Sequence, residues 1–182
     1  GPIRKRRAWF SNSLDTQYVQ TVIRDLPKGQ DRYSSVRYGN LLHTQINLSR
    51  RQILHAGFLA NLWYAPRTGL TALDPLETTI DRRTRQWFFH ARDQVSFENG
   101  AMFEFGAGLN RTFAREIPQG PALLAITPSG KRGNYFVDGT RLGARDQLLW
   151  NANLPSLARY GTHQLKTGVD WNRVGYRQNI HR

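Results

Sequence analysis

Apolar residues along this chain recur at every second position. From Ala101 to Phe113 the odd positions are Ala101, Phe103, Phe105, Ala107, Leu109, Arg111 and Phe113, and the even ones are Met102, Glu104, Gly106, Gly108, Asn110 and Thr112. One side of such a segment is a nearly continuous apolar stripe and the other is polar or small, which is the signature of a half-buried strand. The preceding segment repeats it with Trp87, Phe89, Ala91, Val95 and Phe97, broken only by Asp93, and a later one with Leu165, Thr167, Val169 and Trp171. Weaker stripes are Phe10, Leu14, Tyr18 and Val22; Leu42, Thr44, Ile46 and Leu48; and Leu148, Trp150, Ala152 and Leu154. A further one runs from Leu54 through Ala56, Phe58, Ala60 and Leu62 to Tyr64, with Ile53, Leu59 and Trp63 on its other side. The pattern predicts about seven strands, roughly 8–23, 38–49, 52–65, 85–98, 101–115, 134–153 and 161–177, and no helix of comparable length. The chain reads as one all-β segment over 1–182, an antiparallel up-and-down meander.

Connections between these strands alternate in length. Long polar loops follow Leu26, Pro66 and Ile117, whereas short turns fall at Ser49-Arg50-Arg51 and Glu98-Asn99-Gly100, and a shorter connection at Pro155 to Tyr160. Asn-Gly between two alternating runs is a strong hairpin signal. Tight turns at one end and long loops at the other match an outer-membrane barrel. Alternation alone also fits a soluble sandwich of two sheets. Three features favour the membrane. The strands exceed the five or six residues usual in globular proteins. Aromatic residues (Trp9, Phe10, Trp63, Tyr64, Trp87, Phe97, Phe113, Trp171, Tyr176) sit near strand ends, as interfacial girdles do. Arg92, Glu104, Asn110, Lys166 and Asp170 fall on the polar sides, where they would face a wet lumen.

The charge complicates this picture. With 26 Lys and Arg against 13 Asp and Glu the net charge is +13, and only Lys5, Lys28, Lys131 and Lys166 are lysines. A chain this basic is first weighed as a soluble all-β module for nucleic acid or another polyanion. Its cations are scattered through turns and strand ends, and the one tight run is Arg4-Lys5-Arg6-Arg7, so no nucleic-acid partner is expected. There is no cysteine and no apolar run long enough for a spanning helix. A mean hydropathy of -0.59 is compatible with strands that give half their residues to a polar lumen. The chain opens on Gly-Pro with no leader, which is read as an internal segment of a longer protein.

Catalytic signals are lacking. His43, His55, His90, His163 and His181 show no ligand spacing and read as lone barrel histidines; Gly106-Ala107-Gly108 has no helix after it. Asn47-Leu48-Ser49 and Asn110-Arg111-Thr112 match the glycosylation pattern but fall in or at the end of strands. No nucleophile elbow or acid–base pair is present, so neither enzyme activity nor a cofactor or metal is expected.

The opening Gly1–Phe10 and the later stretch Gly161–Trp171 resemble segments of TonB-dependent outer-membrane receptors, especially those carrying an N-terminal carboxypeptidase-regulatory-like domain. The opening Gly1-Pro2-Ile3-Arg4-Lys5-Arg6-Arg7-Ala8-Trp9-Phe10 is similar to the turn and aromatic strand near the start of their barrels. It departs in having a fully basic turn and an aromatic cluster of only Trp9-Phe10. The stretch Gly161-Thr162-His163-Gln164-Leu165-Lys166-Thr167-Gly168-Val169-Asp170-Trp171 resembles a His-x-Leu-Lys-x-Gly-x-Asp strand that recurs in them. The resemblance implies a barrel of about 22 strands around an N-terminal plug, driven by TonB, of which this segment would be about the first third. It implies outer-membrane lipid and lipopolysaccharide, the plug and, through it, TonB as partners. The plug, the TonB-contacting box and the closing strand are expected outside this chain. The imported nutrient would be a siderophore or other iron chelate, cobalamin, or an oligosaccharide or peptide breakdown product. Arg67, Arg82, Arg83, Arg85, Lys131 and Arg132, in or beside the long loops, are the candidates for an anionic ligand, the alternatives being lipopolysaccharide phosphates or solvent.

Overall fold

The computed structural model of the chain describes residues 1–158 and 160–181; Arg159, in the connection expected at 155–160, and the terminal Arg182 lie outside the described residues. The strands are β1 (Pro2–Arg4), β2 (Ala8–Val22), β3 (Arg32–Asn47), β4 (Gln52–Thr68), β5 (Ile80–Ser96), β6 (Met102–Pro118), β7 (Ala125–Thr127), β8 (Gly130–Arg132), β9 (Asp138–Asn153), β10 (Leu157–Ala158), β11 (Thr162–His163) and β12 (Lys166–His181), with a 3-10 turn at Leu76–Thr78. One antiparallel sheet has the order β1-β2-β3-β4-β5-β6-β9-β12, and it does not close on itself. β7–β8 and β10–β11 are small separate hairpins. The all-β, up-and-down meander read from the alternation is the observed topology.

Register decides whether seven stripes make one surface. Across the sheet Phe10 pairs with Thr44, Thr44 with Ala56, Ala56 with Ala91, Ala91 with Ala107, Ala107 with Leu148 and Leu148 with Trp171. Paired residues share a side of an antiparallel sheet, and each further step of two stays on that side. All seven apolar stripes therefore fall on one face. The Asn99-Gly100 turn fixes this phase locally: Gly100 takes φ 83°, Ala101 N–H donates to Asn99 Oδ1 (3.1 Å), and Phe97 N–H donates to the Ala101 carbonyl (2.8 Å).

The strands are longer than the stripes. β3 starts at Arg32 rather than near 38, β5 at Ile80 rather than 85, and β12 runs on to His181 rather than 177, whereas β9 starts at Asp138 rather than 134. Tyr33–Arg37 and Ile80–Arg85 are largely polar on both sides, so no apolar period marks them, yet their backbones continue the ladder. Pro66 lies within β4, at an irregularity of pairing between Ala65 and Thr68 where Arg67 takes φ 55°. The residues from 161 expected to open the last strand instead form a bend at Gly161, β11 and an irregular link at 164–165 before β12.

Close contacts between elements run along the sheet order, apart from the small hairpins and the approach of β8 to the 3-10 turn. Among the described residues no second layer faces the sheet, so the two opposed apolar faces of a sandwich are absent. Buried apolar residues are few and lie at the two ends: Ala65, Leu70, Ile80 and Val137 beside the long loops, Ala101 and Ala152 beside the turns. At the loop end β7–β8 docks on the connection between β4 and β5. Lys131 N–H donates to the Leu73 carbonyl (2.9 Å), Lys131 Nζ meets Asp74 (2.8 Å), and Gly133 N–H donates to Glu77 (3.0 Å).

Close pairing of β9 with β12 depends on Gly168. A Cβ there would lie 2.6 Å from the Trp150 carbonyl oxygen and against the Asn151 side chain, whereas one at Gly175 would meet only Ala144 Cβ at 3.8 Å. Gly168→Ala is expected to weaken this pairing by about 1–3 kcal/mol and Gly175→Ala by no more than about 0.5 kcal/mol. Amide exchange along β12 measures both, and equal protection in the two variants would contradict the close approach.

Candidate functional faces of the sheet

Exposure is reversed relative to a water-soluble sheet. Along β5 the apolar-face residues Trp87 and Phe89 are exposed, while Gln86, Phe88 and His90 on the polar face are half-buried. Of the exposed large hydrophobic residues in β4, β5, β6 and β9, all but Trp63 lie on the apolar face, and they reach 55% at Leu148. A contiguous apolar surface spanning seven strands far exceeds the few hundred Å² usual on a soluble monomer.

This apolar surface is a band, and it runs obliquely to the strands. On β2 it covers Phe10 to Val22, which by register begins level with Ala91 and extends past Arg83. On β12, continued by Leu165 opposite Leu154, it covers Leu165 to Trp171, level with Phe97 down to Ala91. Intermediate strands step between: toward the loops the band ends at Tyr64 on β4, Trp87 on β5, Leu109 on β6 and Leu148 on β9. Between β2 and β12 the midpoint of the band shifts by about 1.5 residues per strand, which at the usual rise and strand spacing is a slant of roughly 45°. Among the described residues the only acidic or basic side chain within the band is Asp93, held by Gln52 Nε2 at 2.8 Å. Beyond it, on the loop side, the same face turns abruptly ionic with Arg83, Arg85, Arg111, Arg115, Asp138, Asp146, Arg173 and Arg177.

Arginines and carboxylates on the opposite face are largely paired across strands. Glu116, 6% exposed, accepts from Arg82 (3.0 Å) on β5 and Arg141 (3.3 Å) on β9. Arg92 meets Glu104 at 3.7 Å, and Glu104 also accepts from Asn151 (3.3 Å). Asp170 accepts from Gln147 (3.1 Å) and Asn172 (2.7 Å), and Arg37 pairs with Asp15 (3.2 Å). Between these groups His43 lies 5.9 Å from His55 and 6.3 Å from His90, ring centre to ring centre, with Phe88 5.5 Å from His90. Gly57, opposite His90 in the ladder, leaves the space its ring occupies. The sequence treats these histidines as isolated; only the register of β3, β4 and β5 gathers them. Among the described residues no three His, Asp or Glu are arranged to hold a metal ion.

All five residues expected on the polar side, Arg92, Glu104, Asn110, Lys166 and Asp170, share that one face. The six loop candidates do not come together. Arg82, Arg83 and Arg85 are not in a loop: β5 begins at Ile80, and its pleat sends Arg82 to the polar face and Arg83 and Arg85 to the apolar one. Arg82 binds Glu116 and lies 6.0 Å from the Trp63 ring; Arg83 lies 5.3 Å from the Tyr64 ring. Arg67 is a structural clamp, its Nη1 donating to the carbonyls of Gly29 and Arg32 (both 3.1 Å) while its own N–H donates to Asp81 (3.1 Å). Lys131 is committed to Asp74, and Arg132 beside it is exposed.

Two measurements probe these contacts. Glu116→Ala strips the counter-charge from two guanidiniums that remain partly solvated, so a loss of about 1–3 kcal/mol is expected by denaturant titration in micelles. Arg132→Ala removes an exposed side chain with no hydrogen bond or ion pair to another described residue, and should change stability by less than about 0.5 kcal/mol. Separately, the hydrogen bond from Lys131 holds the Asp74 carboxyl below its ordinary 3.8. A carboxyl depressed in the folded state contributes stability above its unfolded value and loses it as pH falls through the folded one. Protection of the 119–137 segment from proteolysis should therefore hold from neutral pH down to about pH 4 and fail below. Lys131→Ala should remove that dependence.

Comparison of the chain with known protein families, with curated proteins and with solved structures finds no match.

Proposed function

We propose that this chain is a section of the wall of a TonB-dependent transporter barrel in a bacterial outer membrane. Its apolar face meets lipid, and its polar face lines the lumen beside the plug. The observation that carries the reading is the oblique apolar band on a face that no other element covers. A bilayer is a planar slab, and strands cross it tilted by about 35–45°. A slab cutting tilted strands leaves an apolar stretch that steps along from each strand to the next, and the step found here corresponds to that tilt. The strands, 15 to 17 residues long from β2 to β6, span roughly 35 Å along the normal at such a tilt. That passes the ~30 Å hydrocarbon layer and leaves the ionic loop-side stretch in the headgroup region.

The assignment to this transporter class leans on the resemblance of the opening turn and of the Gly161–Trp171 strand. The polar face suits the role. Its carboxylates are largely matched by arginines and amides, so the wall offers a hydrogen-bonding surface to a plug and to passing cargo with little uncompensated negative charge. Cargo of the siderophore, cobalamin or oligosaccharide class would cross when TonB pulls on the plug, with no bond made or broken by these strands.

The chain has no cysteine, so single-cysteine variants report cleanly. In the full chain refolded into lipid vesicles, spin labels at Phe89→Cys and Leu148→Cys should be relaxed by oxygen dissolved in lipid and shielded from a water-soluble nickel chelate. Labels at Gln86→Cys and Gln147→Cys on the polar face should show lower accessibility to lipid oxygen. A folded monomer in plain buffer, with both faces open to the chelate, would overturn the reading.

A further inference from the structure

A groove lies on the apolar face at the loop-side edge of the band, and its chemistry is two-part. In one rung of the ladder Arg85 pairs with Phe113, Phe113 with Leu142, and Leu142 with Arg177. The next rung toward the turns is Trp87, Arg111, Ala144 and Gly175. Ala144 and Gly175 are too small to fill their positions, and together with Phe113 and Leu142 they leave a depression of about 850 Å³. Arg111 is anchored, paired with Asp146 at 2.5 Å and lying 5.8 Å from the Trp87 ring. The side chains of Arg85 and Arg177, at opposite ends of their rung, make no hydrogen bond or ion pair with any described residue. Three strand spacings separate them, about 14 Å. Toward the turns, a second and more apolar depression of about 570 Å³ lies over Ala91 and Ala107, bounded by Leu54, Phe105, Leu148 and Trp171.

We propose that this groove is a binding site for a phosphorylated lipid. Its phosphate is held by Arg85 and Arg177, and an acyl chain runs over Ala144 and Gly175 toward the second depression. The inference rests on the membrane reading above and gives the lipid partner expected there a particular site on the chain. Free guanidiniums on an apolar surface are costly in isolation and favourable against phosphate, which they bind with charge-assisted hydrogen bonds. The groove excludes two simpler occupants. A soluble anion would leave the apolar floor uncovered, and a neutral lipid would leave both arginines without a counter-charge. The position agrees with the proposal, because the groove begins where the oblique band ends, which in a membrane is the headgroup level.

The test is native mass spectrometry of the full chain, folded in vesicles of neutral phosphatidylcholine doped with lipid A or with phosphatidylglycerol and then released into detergent. Insertion is verified on parallel samples by the label at Phe89→Cys, which lines neither depression. One phosphorylated lipid should be retained per chain. Arg85→Gln and Arg177→Gln should each lower that retention by about fivefold, while Arg132→Gln should leave it unchanged. Retention of lipid A alone, or of both anionic lipids, supports the site and identifies which source supplies the phosphate. Retention displaced by millimolar inorganic phosphate, or equal retention of phosphatidylcholine, overturns it. So does equal retention by the double variant. Failure to insert sinks this proposal and the membrane reading together, whereas insertion without lipid selectivity sinks this one alone.

Discussion

An antiparallel ladder sends every second side chain to the same side, and shifting one strand by a single residue would move its whole stripe to the other face. Everything distinctive in this molecule depends on that phase being kept across seven long strands. The pairing of Ala91 with Ala107 and of Ala56 with Ala91 keeps the apolar sets level, and short turns at 48–51 and 97–101 leave little slack for slippage. With the phase kept, seven modest stripes become one band. If one central strand slipped, its aromatic residues would fall among the arginines of the polar face, and its arginines on the band.

The polar face faces a different problem. A one-sheet wall has no core behind it in which to hide charge, so each ion must find its partner along the surface. Glu116 shows the solution, drawing one arginine from each neighbouring strand. Glycine supplies the room: at Gly106 and Gly108 a Cβ would stand at the 3.4 Å limit against Leu149 and Phe88, and at Gly57 it would collide with His90. The bulky groups of this face therefore lie down over glycines of adjacent strands and do not stand up into the space beyond. The result is a flat, paired surface, while the opposite face keeps its aromatic side chains projecting.

Much of this was legible before any coordinates. Phe103, Phe105 and Leu109 announce a strand and its face, and Asn99-Gly100 announces its turn, because both signals are local. What was not legible depends on register or on backbone shape. Ile80–Arg85 carries charge on both sides, so its continuation of β5 cannot be read from periodicity, and Arg82 and Arg83, which read as loop residues, project from a strand to opposite faces. His43, His55 and His90 are scattered in sequence and meet only through three-strand pairing. Arg67 looked available for a ligand, but its positive φ and its two carbonyl acceptors make it a clamp on the 23–31 loop. The rung from Arg85 to Arg177 has no sequence signature at all, since its four members come from four strands.

The edges carry the last constraint. β2 at one side and β12 at the other leave rows of backbone donors and acceptors unpaired over most of their length, with Leu14 at 72% and Val174 at 74% exposed. Sheets that live with open edges protect them with proline, lysine, bulges or short strands. β2 has 15 residues with neither proline nor lysine, and β12 has 16 with no proline and its only lysine at the first position. In water such edges invite aggregation. In hydrocarbon they are worse, because each unsatisfied backbone group costs several kcal/mol. On the membrane reading proposed above, the oblique band makes a like demand, since it is still slanting where it reaches β2 and β12. On that proposed reading, open edges and a slanting band would both be met by closing the sheet into a barrel with its apolar face outward.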